Sequence, residues 1–403
     1  MKRSESLQCC SDPVLGDYYP NSRRNPHPNA CLSPAQQATI LRGDLMCVKD
    51  VFLVIVILFV CSIVLSCSDN DGSNRVRFIG WAVGSSYVLH TQDGGTNWTR
   101  QGDSQQFADA DFQDICILDK ENALLIGAQS NVACAYRTEN GGTTWTLART
   151  DPENCSYYNG GFVLDKDNIW IVGDQGTIYY VTDMGTSWTK MDVPEEYQET
   201  HFNRVCAKSK EDIWIATDNY ISDNYPILLH TTNGGVTWEK LNPLKDLKII
   251  ASQQGHYLGI QIVENSIWAV GGFGQYVIRS GDYGVTWADI TAAPSDSDAN
   301  GIFPFNETDA YLVTDYGGMY STIDAGKTWT QHDVQTINFL TGIASLKTTN
   351  IWVSGTPGGG GGGDHAVIKY SSDGGQSWHD QTPQVLKDNP GVPMYKIRFI
   401  SSQ

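Results

Sequence analysis

The downstream part of the chain consists of short apolar runs of four to six residues, separated by turns rich in Gly, Asn and Asp. In one repeat, Gly161–Leu164 and Ile169–Val172 are mostly apolar, Asp165–Asn168 is a polar turn between them, and Gly176–Val181 provides a third run. Runs of this length, bounded by such turns, favour antiparallel strands. No repeat contains an apolar pattern of helical period long enough for a helix, so the pattern predicts an all-β protein.

A turn motif recurs seven times with this pattern and reads Ser/Thr-x-Asp-Gly-Gly-x-Thr-Trp in its fullest form. The closing tryptophans are 47, 43, 50, 49, 42 and 49 residues apart. This spacing fits four short strands with their turns, which is the length of one propeller blade. We predict a structural role for the acidic and aromatic residues of these turns, namely Asp93, Trp98, Trp145, Asp183, Trp188, Trp238, Asp282, Trp287, Asp324, Trp329, Asp373 and Trp378.

A second motif, Ile-Trp-x-Val-Gly in its fullest form, keeps the same period. It contains the other five of the 12 tryptophans: Trp81, Trp170, Trp214, Trp268 and Trp352. The two motifs therefore account for every tryptophan, and none is left to form a binding platform. Together they predict a seven-bladed β-propeller of four-stranded antiparallel blades.

The two ends of the repeat region indicate how the ring closes. The first repeat runs from Val76–Ile79 to Trp81 without a turn, so it lacks room for its own innermost strand. Residues 396–403 match residues 342–349, which form the innermost strand of the last repeat. We therefore predict that the C-terminal strand completes the first blade and leaves no free sheet edge, with residues 75–403 forming one domain.

The N-terminal region contains an uncharged run of 16 residues, 51–66. As a helix it would measure about 24 Å against a bilayer core of about 30 Å, which suits a signal peptide better than a permanent span. The run ends in Val64-Leu65-Ser66-Cys67, which resembles the bacterial lipoprotein signal and implies lipidation of Cys67. We predict a signal peptide over 46–66, a flexible tether over 67–74, and an upstream extension or disordered tail over 1–45. The alternative is a membrane anchor preceded by a cytoplasmic tail.

Charge and cysteine content narrow the possible functions. The net charge of −18 argues against nucleic-acid binding, which needs clustered Lys and Arg. No Cys-x-x-Cys or His-x-x-x-His spacing is present, so we expect neither a metal nor another cofactor. For Cys134 and Cys155, both a disulfide and free thiols remain open. His90 and His230 occupy the same repeat position in different blades and are predicted to be structural.

The combined motifs, Gly-Trp-x-Val-Gly followed by Gly-x-Ile-x-x-Thr-x-Asp-Gly-Gly-x-Thr-Trp, resemble the photosystem II stability and assembly factor family of seven-bladed propellers. The turn alone is the Asp box, or bacterial neuraminidase repeat, which sialidases, xyloglucan-cleaving glycosidases and sortilin-like receptors also carry. The resemblance implies the propeller fold and an arginine-rich patch that meets the photosystem reaction-centre protein. The eight arginines of residues 67–403 are scattered over different blades, and none can be assigned to that patch.

The repeats depart from their consensus in one insertion, residues 218–226, and in two long connections, residues 193–200 and 244–257. In a propeller these loops emerge on the face opposite the Asp-Gly-Gly turns. Tyr with Asp or Asn suits contact with a protein or a glycan. The candidate binding residues are therefore Tyr197, Asp218, Tyr220, Asp223 and Tyr225.

These observations predict a non-enzymatic, monomeric lipoprotein of the cell envelope. A lipid anchor would hold it on the outer membrane, on the periplasmic or the surface side, where it binds a protein or glycan partner as an assembly scaffold. The alternative is a secreted or surface glycosidase of the sialidase or xyloglucanase type, which would need two carboxylates across the scissile bond.

Overall fold

The computed structural model describes residues 77–103, 105–153, 155–218, 225–249, 255–272, 276–291, 297–358 and 364–401. These residues form seven four-stranded antiparallel sheets, each of which is one blade. The predicted seven-bladed β-propeller is thus confirmed. Helical structure in the described residues is limited to two four-residue helices, α1 (Pro243–Asp246) and α2 (Gln384–Lys387), and three short 3₁₀ turns, Asp183–Gly185, Glu195–Tyr197 and Asp315–Gly317.

The strands follow the chain blade by blade. Blade one contains β1 (Phe78–Gly84), β2 (Tyr87–Thr91), β3 (Thr99–Gln101) and the C-terminal β28 (Met394–Ser401). Blade two contains β4 (Ala110–Ile117), β5 (Ala123–Gln129), β6 (Val132–Thr138) and β7 (Thr146–Asp151). Blade three contains β8 (Tyr158–Asp165), β9 (Asn168–Gly173), β10 (Thr177–Thr182) and β11 (Ser187–Lys190). Blade four contains β12 (Phe202–Ala207), β13 (Ile213–Thr217), β14 (Leu228–Thr231) and β15 (Glu239–Leu241).

The remaining blades repeat this order. Blade five contains β16 (His256–Val263), β17 (Ser266–Gly272), β18 (Tyr276–Ser280) and β19 (Ala288–Asp289). Blade six contains β20 (Ala299–Pro304), β21 (Ala310–Thr314), β22 (Gly318–Thr322) and β23 (Thr330–Asp333). Blade seven contains β24 (Phe339–Leu346), β25 (Asn350–Thr356), β26 (Val367–Ser371) and β27 (His379–Asp380).

The C-terminal strand closes the ring as predicted. β28 is the innermost strand of blade one and pairs antiparallel with β1, with Ser401 opposite Phe78 and Arg398 opposite Trp81. Its apolar side chains join a core cluster shared with blade seven, in which Phe399 stacks on Trp352 with ring centroids 3.9 Å apart. The seam therefore has both strand pairing and a continuous apolar core.

The two tryptophan motifs differ in burial. Trp81, Trp170, Trp214, Trp268 and Trp352 are fully buried between blades. Among the closing tryptophans of the turns, Trp145 and Trp378 are buried, whereas Trp98, Trp188, Trp238, Trp287 and Trp329 are only partly so. The Ile-Trp-x-Val-Gly motif therefore supplies the deepest anchors of the core.

The Asp-Gly-Gly turns are closed by their own side chains. In blade seven, the Ser371 hydroxyl donates to Asp373 Oδ1 over 2.8 Å and accepts from Gly375 N over 2.8 Å. The hydroxyl and backbone N–H of Ser377 lower the pKa of Asp373 to about 2. Gly374 and Gly375 have φ of +76° and +89°, a conformation that glycine adopts at no steric cost. This arrangement explains why the turns keep Asp or Asn and the last Gly, and why six of the seven have Ser or Thr four residues before that Gly; blade three has Val181 there.

Antiparallel order gives the propeller two distinct faces. Connections between the first two strands of a blade, and between its last two, lie on the face that carries the Asp-Gly-Gly turns, here called the turn face. Connections between the second and third strands, and from one blade to the next, lie on the opposite face, here called the loop face. The signal-peptide, tether and upstream segments predicted over 1–74, including Cys67, lie outside the described residues.

Candidate functional site

The three predicted binding residues that the structure describes, Tyr197, Asp218 and Tyr225, belong to loop-face connections but do not form one exposed surface. Tyr197 is only 5% exposed and packs in the core between blades three and four, which corrects the expectation of an exposed side chain. Asp218 is partly exposed and forms a backbone bridge with His256. Tyr225 is partly buried against the core of blades four and five. Tyr220 and Asp223 lie outside the described residues.

The structure assembles a different candidate site, around the propeller axis. Every innermost strand contains a β-bulge at the same position, at Gln113, Asn159, Asn203, Leu258, Asn300, Thr341 and Tyr395. A bulge leaves one residue unpaired and redirects its side chain. Three of the bulge residues donate a side-chain hydrogen bond to a backbone carbonyl oxygen of the next blade: Asn159 over 3.2 Å, Asn203 over 3.1 Å and Asn300 over 3.0 Å. The bulges thus connect neighbouring blades near the axis.

The residue after the bulge decides what faces the axis. In four blades it is glycine, at 160, 259, 301 and 342. A Cβ on Gly160 would lie 2.5 Å from the Asn203 carbonyl oxygen, so a larger residue would force the strands apart. In the other three blades the position holds a charged residue: Asp114, Arg204 or Lys396. With Arg398, these side chains line an axial cavity of about 330 Å³ to which all seven innermost strands contribute.

One ion pair in the axial cavity is complete. Arg398 Nε and Nη2 donate to the two oxygens of Asp114 over 2.9 and 2.8 Å. Asp114 Oδ1 also accepts from the Ile115 amide over 2.8 Å. Although burial disfavours the charge of Asp114, the cations of Arg398 and Lys396 lower its pKa to about 2. Asp114 is therefore ionised, and both of its carboxylate oxygens accept hydrogen bonds from neighbouring residues.

Two further cations in the cavity have no carboxylate partner among the described residues. Arg204 Nη1 donates to the carbonyl oxygens of Asn159 and Asn203 over 2.6 and 2.7 Å, but its Nε is buried without a partner. Lys396 faces the same cavity, where burial, helped by the charges of Arg204 and Arg398, lowers its pKa to about 7. The cluster therefore carries excess positive charge within a chain whose net charge is −18.

An aromatic patch lies on the loop face between blades six and seven and consists of Tyr316, Ile337 and Phe339. Tyr316 and Ile337 are 58% and 54% exposed. The rings of Tyr316 and Phe339 meet edge to face, with centroids 5.1 Å apart. Tyr316 adopts φ of +56°, an unusual backbone conformation for an aromatic residue. Phe339 begins β24, so the patch reaches the loop-face end of an innermost strand.

Acidic residues also lie at the loop-face ends of the strands. Asp174 Oδ1 contacts His201 Nδ1 over 2.7 Å, and this hydrogen bond raises the pKa of His201. In blade six, Asn300 donates to Asp315 Oδ1 over 2.8 Å. Burial raises the pKa of Asp315, and the charge of Asp298 adds to this effect. Asp174 and Asp315 are therefore both bonded to bulge residues of innermost strands, Asn159 and Asn300, at the loop-face ends of those strands.

The described cysteines and the paired histidines occupy core positions. Cys116, Cys134, Cys155 and Cys206 are buried free thiols, so the open question between a disulfide and free thiols is answered in favour of thiols in this structure. Burial raises the pKa of Cys134 to about 12, which disfavours the reactive thiolate. His90 and His230 each pack against a tryptophan, Trp81 and Trp214, with ring centroids 4.3 and 4.0 Å apart.

Comparison with known proteins places this propeller among its relatives. The model of the Sortilin-Vps10 family, described as "Sortilin, neurotensin receptor 3", matches residues 136–249 and 275–387, which together are more than half of the chain. The chain belongs to the Sortilin-Vps10 family. This family member is also 25% identical over 247 residues to the photosystem II assembly lipoprotein Ycf48 of Synechococcus sp. (strain CC9902), covering 60% of the chain and 67% of that relative.

Solved structures support the same fold for this Sortilin-Vps10 family member. The structure of YCF48 bound to a D1 peptide aligns with a TM-score of 0.53 at 17% identity, covering 72% of this chain and 92% of that one. YCF48 from Cyanidioschyzon merolae aligns with a TM-score of 0.53 at 17% identity, covering 69% and 87%. At these identities the likeness shows the fold alone, and it supports a propeller like that of photosystem II assembly factors.

Within the described chain, no helix has the length and apolar character needed to cross a membrane.

Sequence reasoning missed the axial cluster because its members are far apart along the chain. Asp114, Arg204 and Lys396 are separated by 90 and 192 residues and show no local motif. One signal was available, however. At the aligned position of the innermost strands, four repeats have glycine while these three have charged residues.

Proposed function

We propose that this propeller is a non-enzymatic scaffold that binds a peptide segment of a protein partner on its loop face, as an assembly factor does. The observation that carries the proposal is the exposed aromatic patch of Tyr316, Ile337 and Phe339. Exposed aromatic and aliphatic side chains grouped on a rigid frame are typical of binding hot spots. Tyr316 holds this exposed position despite its unfavourable backbone conformation, which favours a functional role.

The choice of a peptide as the occupant rests on the relatives. Ycf48 is described as a photosystem II assembly lipoprotein, and a propeller of similar fold, YCF48, has been solved with a D1 peptide bound. A peptide with apolar side chains matches the aromatic patch, and a propeller holds such a surface rigid at little entropic cost. We extend only the mode of binding to this chain.

The test compares two pairs of exposed residues on opposite faces. Tyr316→Ala with Ile337→Ala removes most of the aromatic patch, whereas Val285→Ala with Ile323→Ala removes side chains of the turn face that are 80% and 79% exposed. We expect the patch variant to bind its partner about tenfold more weakly or worse, as loss of hot-spot residues does. Neither variant should melt at a markedly different temperature, because the side chains are exposed.

The measurement is photo-crosslinking in the native cells from a probe at position 316, followed by mass spectrometry and affinity measurement with the captured protein. The turn-face variant serves as the matched control. If the turn-face variant loses the captured protein while the patch variant keeps it, the binding surface lies on the other face and the proposal is wrong.

A second candidate, a glycosidase, draws on one observation. Burial raises the pKa of Asp315, which lies beside Asp298, and glycosidases use a pair of neighbouring carboxyl groups. However, the Asp298 amide contacts Asp315 Oδ2 over 3.4 Å and Asn300 occupies Asp315 Oδ1, so neighbouring residues engage this carboxyl. Hydrolysis of a chromogenic glycoside, abolished by Asp315→Asn, would favour the glycosidase over the scaffold.

We also propose that the scaffold is a lipoprotein of the cell envelope, anchored to a membrane through Cys67. The support is the resemblance of residues 51–67 to a lipoprotein signal, together with the description of the relative Ycf48 as a lipoprotein.

A further inference from the structure

We propose that a groove between blades one and two binds an uncharged, hydroxyl-rich chain, namely an oligosaccharide. This surface, here called the inter-blade groove, is lined by Asp93 and Asn97 from the Asp-Gly-Gly turn of blade one, Asn140 and Thr144 from that of blade two, and Thr99–Gln101 of β3. Among the described residues, it shares no lining residue with the axial cavity or with the aromatic patch. The proposal therefore does not rest on the proposed function.

The first argument is the balance of charge. Among the described residues, three basic and three acidic side chains line the inter-blade groove: Arg77, Arg100, Lys120, Asp93, Asp103 and Glu121. Their charges cancel, although the whole chain has a net charge of −18. An anionic ligand would meet the three carboxylates and a cationic ligand the three cations, and like charges that lie close together repel each other. The lining therefore favours an uncharged ligand over an ion of either sign.

The second argument is the chemistry of the wall. Amide and hydroxyl side chains form most of the uncharged lining, and Ile79 and Trp145 are the two large apolar side chains in it, both buried. A protein partner normally needs exposed aromatic or aliphatic anchors, which this wall does not offer. Sugar hydroxyls both donate and accept hydrogen bonds, so they match amides, hydroxyls and carboxylates alike. The volume of about 1290 Å³ exceeds the usual range for a single small molecule and suits a chain of several sugar units.

The third argument is a tryptophan donor without a partner. In five of the seven turns, Nε1 of the closing tryptophan donates to a backbone carbonyl oxygen, as Trp188 does to Gly185 over 2.9 Å. The exceptions are Trp98 and Trp145, whose Nε1 atoms are buried with no hydrogen-bond partner in the described chain. Of these two, Trp145 lines the inter-blade groove. Buried donors are normally satisfied, and a hydroxyl oxygen of the ligand would supply the missing acceptor.

The fourth argument is a histidine that lacks the partner of its counterpart. His90 and His230 occupy equivalent positions in blades one and four, each opposite the tryptophan of the second motif. His230 Nε2 contacts Asp212 Oδ1 over 2.9 Å, whereas blade one has Ile79 at the position of Asp212. His90 Nε2 is buried without a partner among the described residues, and both His90 and Ile79 line the inter-blade groove. Burial lowers the pKa of His90 to about 4, so its ring is neutral at neutral pH and suits a neutral hydroxyl group.

The experiment is calorimetric titration of the full-length protein with three neutral hexasaccharides: maltohexaose, xylohexaose and mannohexaose. Hexagalacturonate and hexameric chitosan, which carry negative and positive charge, test the preference for an uncharged chain. We expect saturable binding of at least one neutral hexasaccharide, and binding of both charged chains that is about tenfold weaker or worse. Failure of all three neutral chains to bind, or tightest binding of a charged chain, would overturn the proposal.

A blocking variant locates the binding. Thr99 is exposed and lines the inter-blade groove, so Thr99→Trp should fill the groove without disturbing the core. Thr189→Trp is the matched control, because Thr189 is exposed and follows Trp188 in blade three as Thr99 follows Trp98. We expect Thr99→Trp to abolish hexasaccharide binding and Thr189→Trp to preserve it. Unchanged binding by Thr99→Trp would place the sugar elsewhere and refute the site.

A second variant tests the unpartnered ring. His90→Phe removes the ring nitrogens and keeps an aromatic ring against Trp81, while His230→Phe makes the same change in blade four, outside the groove. We expect His90→Phe to weaken hexasaccharide binding about three- to tenfold, as loss of one hydrogen bond does, and His230→Phe to leave it unchanged. Equal affinity of His90→Phe and wild type would contradict the role of His90. If Thr99→Trp instead lost the protein partner captured from position 316, the groove would be a protein-binding surface and the proposal would be wrong.

Discussion

At the scale of single residues, burial separates tryptophans that look equivalent in the repeat. Trp268 and Trp329 both contribute to the core between blades five and six. Trp268 is fully buried, whereas Trp329 is partly exposed and donates from Nε1 to the Ile290 carbonyl over 2.9 Å. The Trp268 ring is packed on all sides, whereas the Trp329 ring covers one edge of its turn.

We therefore expect Trp268→Ala to lower the free energy of unfolding by about 4 kcal/mol, since it leaves a large cavity in a packed core. Trp329→Ala should cost less, on the order of 2 kcal/mol, because part of its ring is already hydrated. Chemical denaturation of both variants measures the difference. An equal or larger loss in Trp329→Ala would show that the turn tryptophans are the principal anchors.

At the scale of elements, the closing strand β28 contributes in three ways. It pairs with β1, it places Ile397 and Phe399 in the core shared by blades one and seven, and it carries Arg398 to Asp114 of blade two. No other strand of the described chain joins residues so distant in sequence, since Ser401 lies opposite Phe78. The ring is therefore most sensitive to the loss of this element.

Deleting residues 395–403 should lower the melting temperature and expose the free edge of β1, because an unpaired edge and an opened core result. Thermal unfolding followed by circular dichroism measures the loss. A synthetic peptide of residues 394–403, added to the truncated protein, should restore part of the melting temperature, and a scrambled peptide should not. A truncated protein that melts like the intact chain would contradict closure by β28.

At the scale of the whole molecule, charged and exposed aromatic side chains occupy different parts of the propeller. The axial cavity is lined by more basic than acidic side chains, acidic residues lie at the loop-face ends of the strands, and the exposed aromatic patch lies between blades six and seven. The proposed anchor at Cys67 would add attachment to a membrane.

Cys67→Ser should abolish incorporation of a fatty-acid probe and leave an uncleaved or soluble product, because it removes the acyl chains, which contribute about 0.8 kcal/mol per buried CH₂ to membrane binding. Expression in a bacterial host with lipoprotein processing, followed by probe detection and fractionation, provides the measurement. Cys61→Ser, within the same uncharged run, is the matched control and should label normally. Undiminished labelling of Cys67→Ser would rule out this anchor.

The sequence by itself determined the number of blades, their strand order and the closing strand. These features are local and repeated: the turn seen at Ser371, Asp373 and Gly375 recurs with small variations in every blade, and five blades carry a fully buried tryptophan of the second motif. The sequence shows this periodicity because the contacts within a blade, and between one blade and the next, join residues that are close in sequence or one repeat apart.

Only the tertiary structure decided where the chemistry lies. It buried Tyr197, which the sequence placed on an exposed loop, because a short 3₁₀ turn directs that ring between two blades. It also brought Arg204 and Arg398, which the sequence showed as scattered, into one cavity with Lys396. Convergence on the axis depends on closure of the ring, and closure is a property of all seven blades together.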